Sequence, residues 1–212
     1  MDKTKPFNTN AAAMVVVAAV TIGGTLALTA PFVFLKTPLP YMATPSKKLR
    51  KALEYLKKHN NADHFVDLGS GDGEAIIQAA SLGYKQCRGV ELNSTLWVIS
   101  RIRLLRELSS MQRKHATIKL GDLFEQPLHQ ADAVMIFGVK PLMKRISNKL
   151  RKECKPGAHV LSYRFPLPLE GVSSSDQKKT KSFPSNNDDD NNTLLNAEIV
   201  YDKEEMRIYK VL

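Results

Sequence analysis

Short apolar segments with strand character alternate with helical segments over most of this 212-residue chain, and this alternation constrains the fold more than any other feature. Five of the strand segments read HFVDLG, RGVEL, ATIKLGD, DAVMIFG and HVLSYRF, and the helical stretches between them are Glu74–Leu82, Leu96–Arg113 and Leu142–Glu153. Strands that alternate with helices predict a parallel sheet with right-handed crossovers. The last two segments, AEIVYD and MRIYKVL, are separated by a short charged turn, which is typical of an antiparallel hairpin. We therefore predict an α/β domain with a seven-stranded sheet.

A glycine-rich segment follows the first predicted strand and reads Val66-Asp67-Leu68-Gly69-Ser70-Gly71-Asp72-Gly73. Glycines at alternate positions let the backbone turn sharply and approach a ligand closely. This spacing alone is a weak signal, because many nucleotide-binding folds share it. Asp67 makes it more specific, since a carboxylate at the end of the strand would repel a pyrophosphate and attract a ligand that carries an ammonium and a sulfonium. An NAD(P)-binding domain is the second interpretation, but Glu74 occupies the position of its third glycine.

Two further acids end the next two predicted strands. Glu91 lies 24 residues after Asp67, where a carboxylate can accept hydrogen bonds from both ribose hydroxyls. Asp122, in Gly121-Asp122-Leu123, ends the third strand, where it can accept from an adenine amino group. Three acids at three successive strand ends favour S-adenosylmethionine as the cofactor, although each acid could instead be a helix cap or a turn residue. Together with the strand plan, they predict the class I, Rossmann-like fold of S-adenosylmethionine-dependent methyltransferases.

An uncharged run from Asn8 to Leu35 precedes this domain. Its apolar core, Ala11–Leu28, is long enough to cross a hydrocarbon layer of about 30 Å as a helix. One alternative is a buried core helix, which seldom stays uncharged on every face. Another is a cleaved secretory signal, which the lysines before the run would suit. We predict a single transmembrane anchor at residues 11–35 behind a short tail at residues 1–10.

The segment from 36 to 60 is basic and contains KKLRKALEYLKK, from Lys47 to Lys58. Its spacing predicts a helix with Leu49, Leu53 and Leu56 on one face. The basic face is interpreted either as solvated surface or as a patch on anionic lipid headgroups. The excess of positive charge on this side of the anchor places the domain in the cytosol or, in an organelle of bacterial descent, in the matrix.

The methyltransferase domain is predicted over residues 61–212, with an insert at about 171–193. The insert is rich in Ser, Asn, Asp and Lys, a composition that predicts a disordered surface loop. The formal net charge of +10 suits acidic partners, either lipid or nucleic acid. Cys87 and Cys154 lie far apart and the five histidines show no ligand spacing, so the sequence predicts neither a disulfide framework nor a metal site.

Several motifs, in order along most of the chain, resemble the mitochondrial protein-lysine methyltransferases that modify the ATP synthase c subunit and the adenine nucleotide translocase. They are LPYMATP (39–45), DLGSGDG (67–73), ELN with the following SRIR (91–93, 100–103), GDL (121–123), VMIFGV (134–139) and RFPLP (164–168). IFGV and RFPLP are closer to the ATP synthase branch, whereas the Asn- and Asp-rich insert departs from the family.

This resemblance implies an enzyme of the inner mitochondrial membrane, anchored by one helix with its catalytic domain in the matrix. It would methylate a lysine of a small hydrophobic membrane protein, of the ATP synthase or translocase type. With the acids and glycines of the strand ends, it predicts nine cofactor-binding residues: Asp67, Gly69, Ser70, Gly71, Gly73, Glu91, Asn93, Asp122 and Leu123.

The methyl acceptor is harder to predict from the residues. No general base is evident, and Tyr41 and Phe137 are candidates for lining a channel for the lysine, although both could be ordinary packing residues. The fourth strand ends in FGVK and lacks the Asn/Asp-Pro-Pro-aromatic tetrad common in enzymes that methylate nucleobase amino groups, which favours a more nucleophilic amine such as lysine. Two other classes remain open: a nucleic-acid methyltransferase, which the net charge would suit, and a membrane-tethered binding protein without catalysis.

Overall fold

The computed structural model describes residues 45–137, 140–169, 194–203 and 205–212, all within the unit formed by Leu39–Leu212. The anchor predicted at 11–35, Tyr41 and the insert predicted at 171–193 lie outside the described residues. Among the residues that are described, none of the helices combines the length and the apolar character that crossing a bilayer requires.

A single sheet organises the described residues. Its strands are β1 (His64–Leu68), β2 (Gln86–Glu91), β3 (Ala116–Leu120), β4 (Ala133–Ile136), β5 (His159–Tyr163), β6 (Ala197–Lys203) and β7 (Met206–Val211). They lie in the order β3-β2-β1-β4-β5-β7-β6. Strands β1 to β5 are parallel, and β7 pairs antiparallel with both β5 and β6. The predicted seven-stranded plan, five parallel strands followed by a hairpin, is confirmed.

Five α-helices lie among the described residues: α1 (Ser46–Asn60), α2 (Glu74–Ser81), α3 (Ser94–Glu107), α4 (Ser110–Arg113) and α5 (Met143–Glu153), with short 3₁₀ turns at Leu123–Glu125 and Lys140–Leu142. The helical stretch predicted at Leu96–Arg113 is confirmed, but it consists of two helices, because the chain breaks between α3 and α4. Ser109, the N-cap residue of α4, forms a capping box, in which its hydroxyl accepts from Gln112 N and the Gln112 side chain accepts from Ser109 N. This reciprocal pair starts a new helix where a continuous one would otherwise run through.

The two faces of the sheet are covered by different helices. Phe65 of β1 packs in a cluster with residues of α1, α2 and α3, whereas its neighbour Val66 packs in a second cluster with residues of α5. This alternation follows from the two-residue period of a strand, and it places helices on both faces of the parallel part of the sheet. The carboxyl ends of β1, β2 and β3 therefore meet at one open edge, where ligands bind in such folds.

Helix α1 is an integral part of this core. Leu49, Leu53 and Leu56 are fully buried, as their spacing predicted. The Tyr84 hydroxyl donates to the Leu53 carbonyl over 2.9 Å and fixes the helix against the end of α2. Most lysines of this helix, such as Lys47, have exposed side chains, which either interpretation of the basic face requires.

Candidate functional site

The glycine-rich turn between β1 and α2 adopts the left-handed backbone that its sequence predicts. Gly69, Gly71 and Gly73 have φ of 90°, 54° and 85°, a region in which side chains are strained. A Cβ added to Gly73 would lie 2.9 Å from Ile118 Cδ1, so the turn packs tightly against the sheet at this point. A Cβ added to Gly69 would have no atom within 4 Å. The turn thus leaves open space beside its first glycine, where a ligand could approach the backbone.

Glu91, at the carboxyl end of β2, is buried and ties two loops together. Its Oε2 accepts from Gly71 N over 2.7 Å, and its Oε1 accepts from Asn93 N over 2.8 Å. Each carboxylate oxygen has two lone pairs, so both retain capacity for a further donor. The backbone bonds therefore fix the carboxylate in position and leave it able to accept from a ligand.

Asp67, at the carboxyl end of β1, is a buried acid. Only 4% of its surface is exposed, and no hydrogen bond or ion pair from another described residue holds its carboxylate. Burial, with the nearby charges of Glu91 and Asp72, raises the pKa of the Asp67 carboxyl to about 8. A buried carboxylate without a partner is strongly disfavoured, so this position is suited to a cationic ligand group.

Asn93 and Asp122 combine a capping role with a place beside the site. Asn93 is the N-cap residue of α3, and its Oδ1 accepts from Thr95 N over 2.9 Å. Asp122 is exposed, and its Oδ1 accepts from Phe124 N over 2.9 Å at the start of the 3₁₀ turn. Gly121 N donates to the Glu91 carbonyl over 3.0 Å, which brings the end of β3 next to the end of β2. The alternative that an acid at a strand end acts as a cap therefore holds for Asp122, which still lies at the edge that Glu91 occupies.

Ser70 and Leu123 make different contacts from the polar residues around them. The Ser70 hydroxyl is buried, has no hydrogen-bond partner among the described residues, and lies 2.9 Å from the position that a Cβ of Gly89 would take. It therefore faces β2. Leu123 is half-buried and packs against the apolar cluster beneath α5.

Arg103 of α3 is a residue of this region to which the sequence analysis assigned no role. Its guanidinium pairs with Asp72 in the glycine-rich turn, with Glu74 Oε2 at the start of α2 over 2.6 Å, and with Glu107 Oε1 over 2.7 Å. These bonds fasten the turn to the helix beside it. The acidic residues after the glycines and the SRIR segment were both visible in the sequence, but nothing local shows that they meet.

The residues predicted to line an acceptor channel are only partly described. Phe137 follows β4 and is half-buried, with its ring centroid 5.7 Å from that of Tyr163 on β5. The Tyr163 hydroxyl donates to Glu205 Oε2 over 3.1 Å. Phe137 thus packs on the neighbouring strand, as the alternative interpretation allowed, at the edge of the sheet where Asp67 also lies.

Comparison with known proteins decides between the remaining functional classes. The family model described as the ANTKMT methyltransferase domain matches residues 67–172, half of the chain. The chain belongs to this family. The lysine N-methyltransferase of the ATP synthase c subunit from Xenopus laevis is 36% identical over 159 residues, which cover 72% of this chain and 68% of that protein. A protein-lysine N-methyltransferase of Saccharolobus islandicus is 34% identical over 61% of this chain and 78% of its own length.

More distant comparisons agree on the fold. Adenine nucleotide translocase lysine N-methyltransferase of Mus musculus is 30% identical over 63% of this chain and 56% of that protein. The crystal structure of an RNA methyltransferase from Salinibacter ruber superposes with a TM-score of 0.58 at 21% identity, covering 80% of this chain and 92% of that one. At that identity the likeness concerns the fold alone.

The ANTKMT-family chain is therefore an S-adenosylmethionine-dependent protein-lysine N-methyltransferase. The predicted Rossmann-like methyltransferase fold is confirmed, as is the resemblance to the mitochondrial lysine methyltransferases. The interpretations as an NAD(P)-binding oxidoreductase and as a nucleic-acid methyltransferase are set aside by the same comparisons.

Proposed function

We propose that this enzyme methylates a lysine of the ATP synthase c subunit at the inner mitochondrial membrane. The observation that carries the proposal is the similarity to the lysine N-methyltransferases that are named for this acceptor, 36% identical in Xenopus laevis and 35% in Homo sapiens. The translocase enzyme of Mus musculus is 30% identical over a shorter stretch. The ATP synthase protein is accordingly the first acceptor to test and the translocase the second.

The cofactor contacts are proposed from the geometry of the strand ends. Asp67 would hold the positive charge of the ligand, because it is a buried carboxylate that has no cationic partner among the described residues. Glu91 would accept the ribose hydroxyls with the lone pairs left free by Gly71 and Asn93. Asp122 would accept from the adenine amino group at the adjacent strand end.

The remaining predicted contacts would act mainly through the backbone. Gly69, Gly71 and Gly73 would bring the turn against the ligand where a side chain could not be accommodated. Ser70 would contribute its backbone, since its hydroxyl faces β2. Leu123 would offer an apolar surface beside Asp122.

Bound S-adenosylmethionine would supply a methyl carbon attached to a positively charged sulfur. A neutral amine that lies in line with the carbon–sulfur bond can take the methyl group and displace the sulfur. The task of the protein residues is then to position the partners and to exclude water. Asp67, which is buried, would fix the cofactor at its cationic group, and Glu91, also buried, would fix it at its ribose hydroxyls. The acceptor lysine has to be neutral, which a dry environment favours, and the proton released with each transfer goes to solvent. We assign no general base, and Tyr41 and Phe137 remain proposed channel residues.

Membrane attachment is proposed from the uncharged run at residues 8–35 and from the basic segment after it. On α1, Lys57 is engaged with Asp63 over 2.7 Å, whereas Lys47, Lys51 and Lys58 are exposed to solvent. Exposed lysines beside a bilayer contribute roughly 1 kcal/mol each on an anionic surface. The domain would face the matrix. Because enzyme and substrate would then be confined to the same membrane surface, the effective concentration of the acceptor lysine at the enzyme would be raised.

The acceptor is tested by mass spectrometry of the ATP synthase c subunit and the translocase from cells that lack this enzyme, re-expressing either the natural chain or its Asp67→Asn variant. We expect methylation of a lysine in the ATP synthase protein to return with the natural chain only. Methylation there that persists without the enzyme would refute the assignment, and loss at the translocase alone would transfer it to that acceptor.

The role of the anchor is tested separately, by sending residues 36–212 to the matrix with a foreign targeting sequence. If confinement matters, this form should bind cofactor normally and methylate the ATP synthase protein poorly. Full methylation by the truncated form would show that residues 1–35 serve delivery only.

A further inference from the structure

Helix α3 carries apolar side chains on two opposite faces. Its inner face, Leu96, Ser100 and Leu104, is buried against the sheet. Val98, Ile102 and Leu105 follow the i, i+4, i+7 spacing of a second face and are 46%, 50% and 65% exposed. We call these three residues the α3 stripe. A surface helix normally presents polar residues on its outer face, so the α3 stripe requires its own explanation.

The residues that flank the α3 stripe are basic. Helical geometry places Arg101 on one side of the stripe and Arg106 on the other, and both are exposed. Neither forms an ion pair with a carboxylate among the described residues, because Glu107, the acid next to Arg106, is taken by Arg103. Exposed apolar side chains bordered by arginines are suited to the surface of an anionic bilayer, where the apolar groups can enter the acyl boundary and the arginines can meet phosphates.

The start of α1 lies close to this helix. Gln78 Nε2 donates over 2.6 Å both to Ser46 Oγ and to Glu74 Oε1. The other oxygen of Glu74 accepts from Arg103 of α3 over 2.6 Å. Ser46, the first residue of α1, is therefore separated from α3 by one amide and one carboxylate. The chain that carries the long uncharged run enters the described domain beside the helix that bears the α3 stripe.

We propose that the α3 stripe rests on the anionic lipid surface of the membrane to which the enzyme is attached, with Arg101 and Arg106 on the phosphates. The inference rests on the proposed membrane attachment and adds an orientation to it. Helix α3 begins at Ser94, three residues after Glu91, so a domain lying on α3 holds the candidate site at one end of the membrane contact. A second copy is a poorer occupant, since a two-fold contact between identical stripes would bring arginines against arginines.

The test places an environment-sensitive fluorophore on Ile102→Cys in the full chain, reconstituted in phosphatidylcholine vesicles with about one third phosphatidylglycerol. Burial raises the pKa of the Cys87 and Cys154 thiols to about 12, so the new exposed cysteine is labelled selectively. Nitroxide groups on the lipid acyl chains then report contact with the bilayer by quenching.

Ile199→Cys provides a matched control. Ile199 is 51% exposed, like Ile102, but it lies on β6, at the edge of the sheet opposite to β3. Cofactor binding by both labelled proteins in detergent verifies that they are folded. We expect quenching at position 102 to exceed that at position 199 by about threefold or more, and to fall in neutral vesicles or with Arg101→Gln and Arg106→Gln together.

Equal quenching at the two positions would overturn the proposal. So would self-quenching at position 102 that rises with the protein-to-lipid ratio in vesicles without nitroxide, because a second copy would then cover the stripe. Alkaline carbonate extraction measures anchorage independently. A chain that is retained but not quenched at position 102 refutes the α3 stripe alone, whereas a chain that is extracted yet quenched before extraction supports the stripe and refutes the anchor.

Discussion

Asp67→Asn separates the proposed electrostatic role of Asp67 from its shape, because an amide replaces the carboxylate at nearly the same volume. In the ligand-free protein, burial and the charges of Glu91 and Asp72 raise the pKa of the Asp67 carboxyl to about 8. It is therefore protonated at neutral pH. A cationic cofactor group beside it favours the ionised form, so binding should expel the proton from Asp67.

The size of the effect follows from the pKa. Only the ionised protein binds the cation well, and the ionised fraction rises from about 1% at pH 6 to about half at pH 8, so affinity should increase about fiftyfold over this range. Binding at pH 6.5 should release about one proton, because Asp67 with a pKa of about 8 is almost fully protonated there. Asp67→Asn should bind weakly and show no such release.

Isothermal calorimetry in buffers with different ionisation enthalpies measures both quantities on the same samples. The amino group of S-adenosylmethionine also titrates near pH 8, and the Asp67→Asn series records that contribution alone. Equal proton release by the natural protein and Asp67→Asn at pH 6.5, or unchanged affinity in the variant, would refute the role assigned to Asp67.

Three further substitutions test the surrounding geometry. Gly73→Ala forces a Cβ to within 2.9 Å of Ile118 Cδ1 at a φ of 85°, and it should lower the free energy of unfolding by about 1–3 kcal/mol in urea titrations. Glu91→Gln removes a charged acceptor and should weaken cofactor binding about ten- to hundredfold by calorimetry; a change below about twofold would contradict the ribose contact. Arg103→Gln frees the glycine-rich turn and should raise the cofactor Kd about fivefold, whereas the control Glu107→Gln, which leaves the turn fastened, should have little effect.

Much of the fold could be predicted because it depends on short-range patterns. Short apolar segments such as HFVDL and their alternation with helices determine the parallel sheet, and the spacing of Leu49, Leu53 and Leu56 determines the buried face of α1. The break before α4 was also encoded, in Ser109 and Gln112 three residues apart. It was missed because apolar residues continue across it at helical spacing.

The sequence predicted the positions of the candidate site residues only where the end of a strand could be recognised. Asp67 and Glu91 lie at the carboxyl ends of neighbouring strands, as the parallel order requires. The pairing of Arg103 with Asp72 joins residues 31 positions apart through packing of α3 beside the turn, which no local pattern specifies. The protonation of Asp67 was equally hidden, since it results from burial and from two other carboxylates brought close by the fold.

The buried acid also links the stability of the ligand-free protein to pH. A raised folded-state pKa means that the folded protein binds the proton more tightly than the unfolded chain. The contribution of Asp67 to stability is therefore fully present below the ordinary aspartate pKa of 3.8, is lost as the pH rises towards about 8, and levels off above that. Each pKa unit corresponds to about 1.4 kcal/mol, and burying an unpaired amide costs about 1–3 kcal/mol in return. Ligand-free Asp67→Asn should thus be more stable than the natural protein by roughly 2.5–4.5 kcal/mol at pH 8.5, with the difference shrinking towards pH 5. Saturating cofactor should reverse the order, because only the natural protein gains the ion pair.

Thermal or urea unfolding across this pH range measures the stability of both proteins with and without cofactor. If Asp67→Asn is less stable than the natural protein at pH 8.5 without ligand, Asp67 must have a partner that holds it ionised, and the reasoning is refuted.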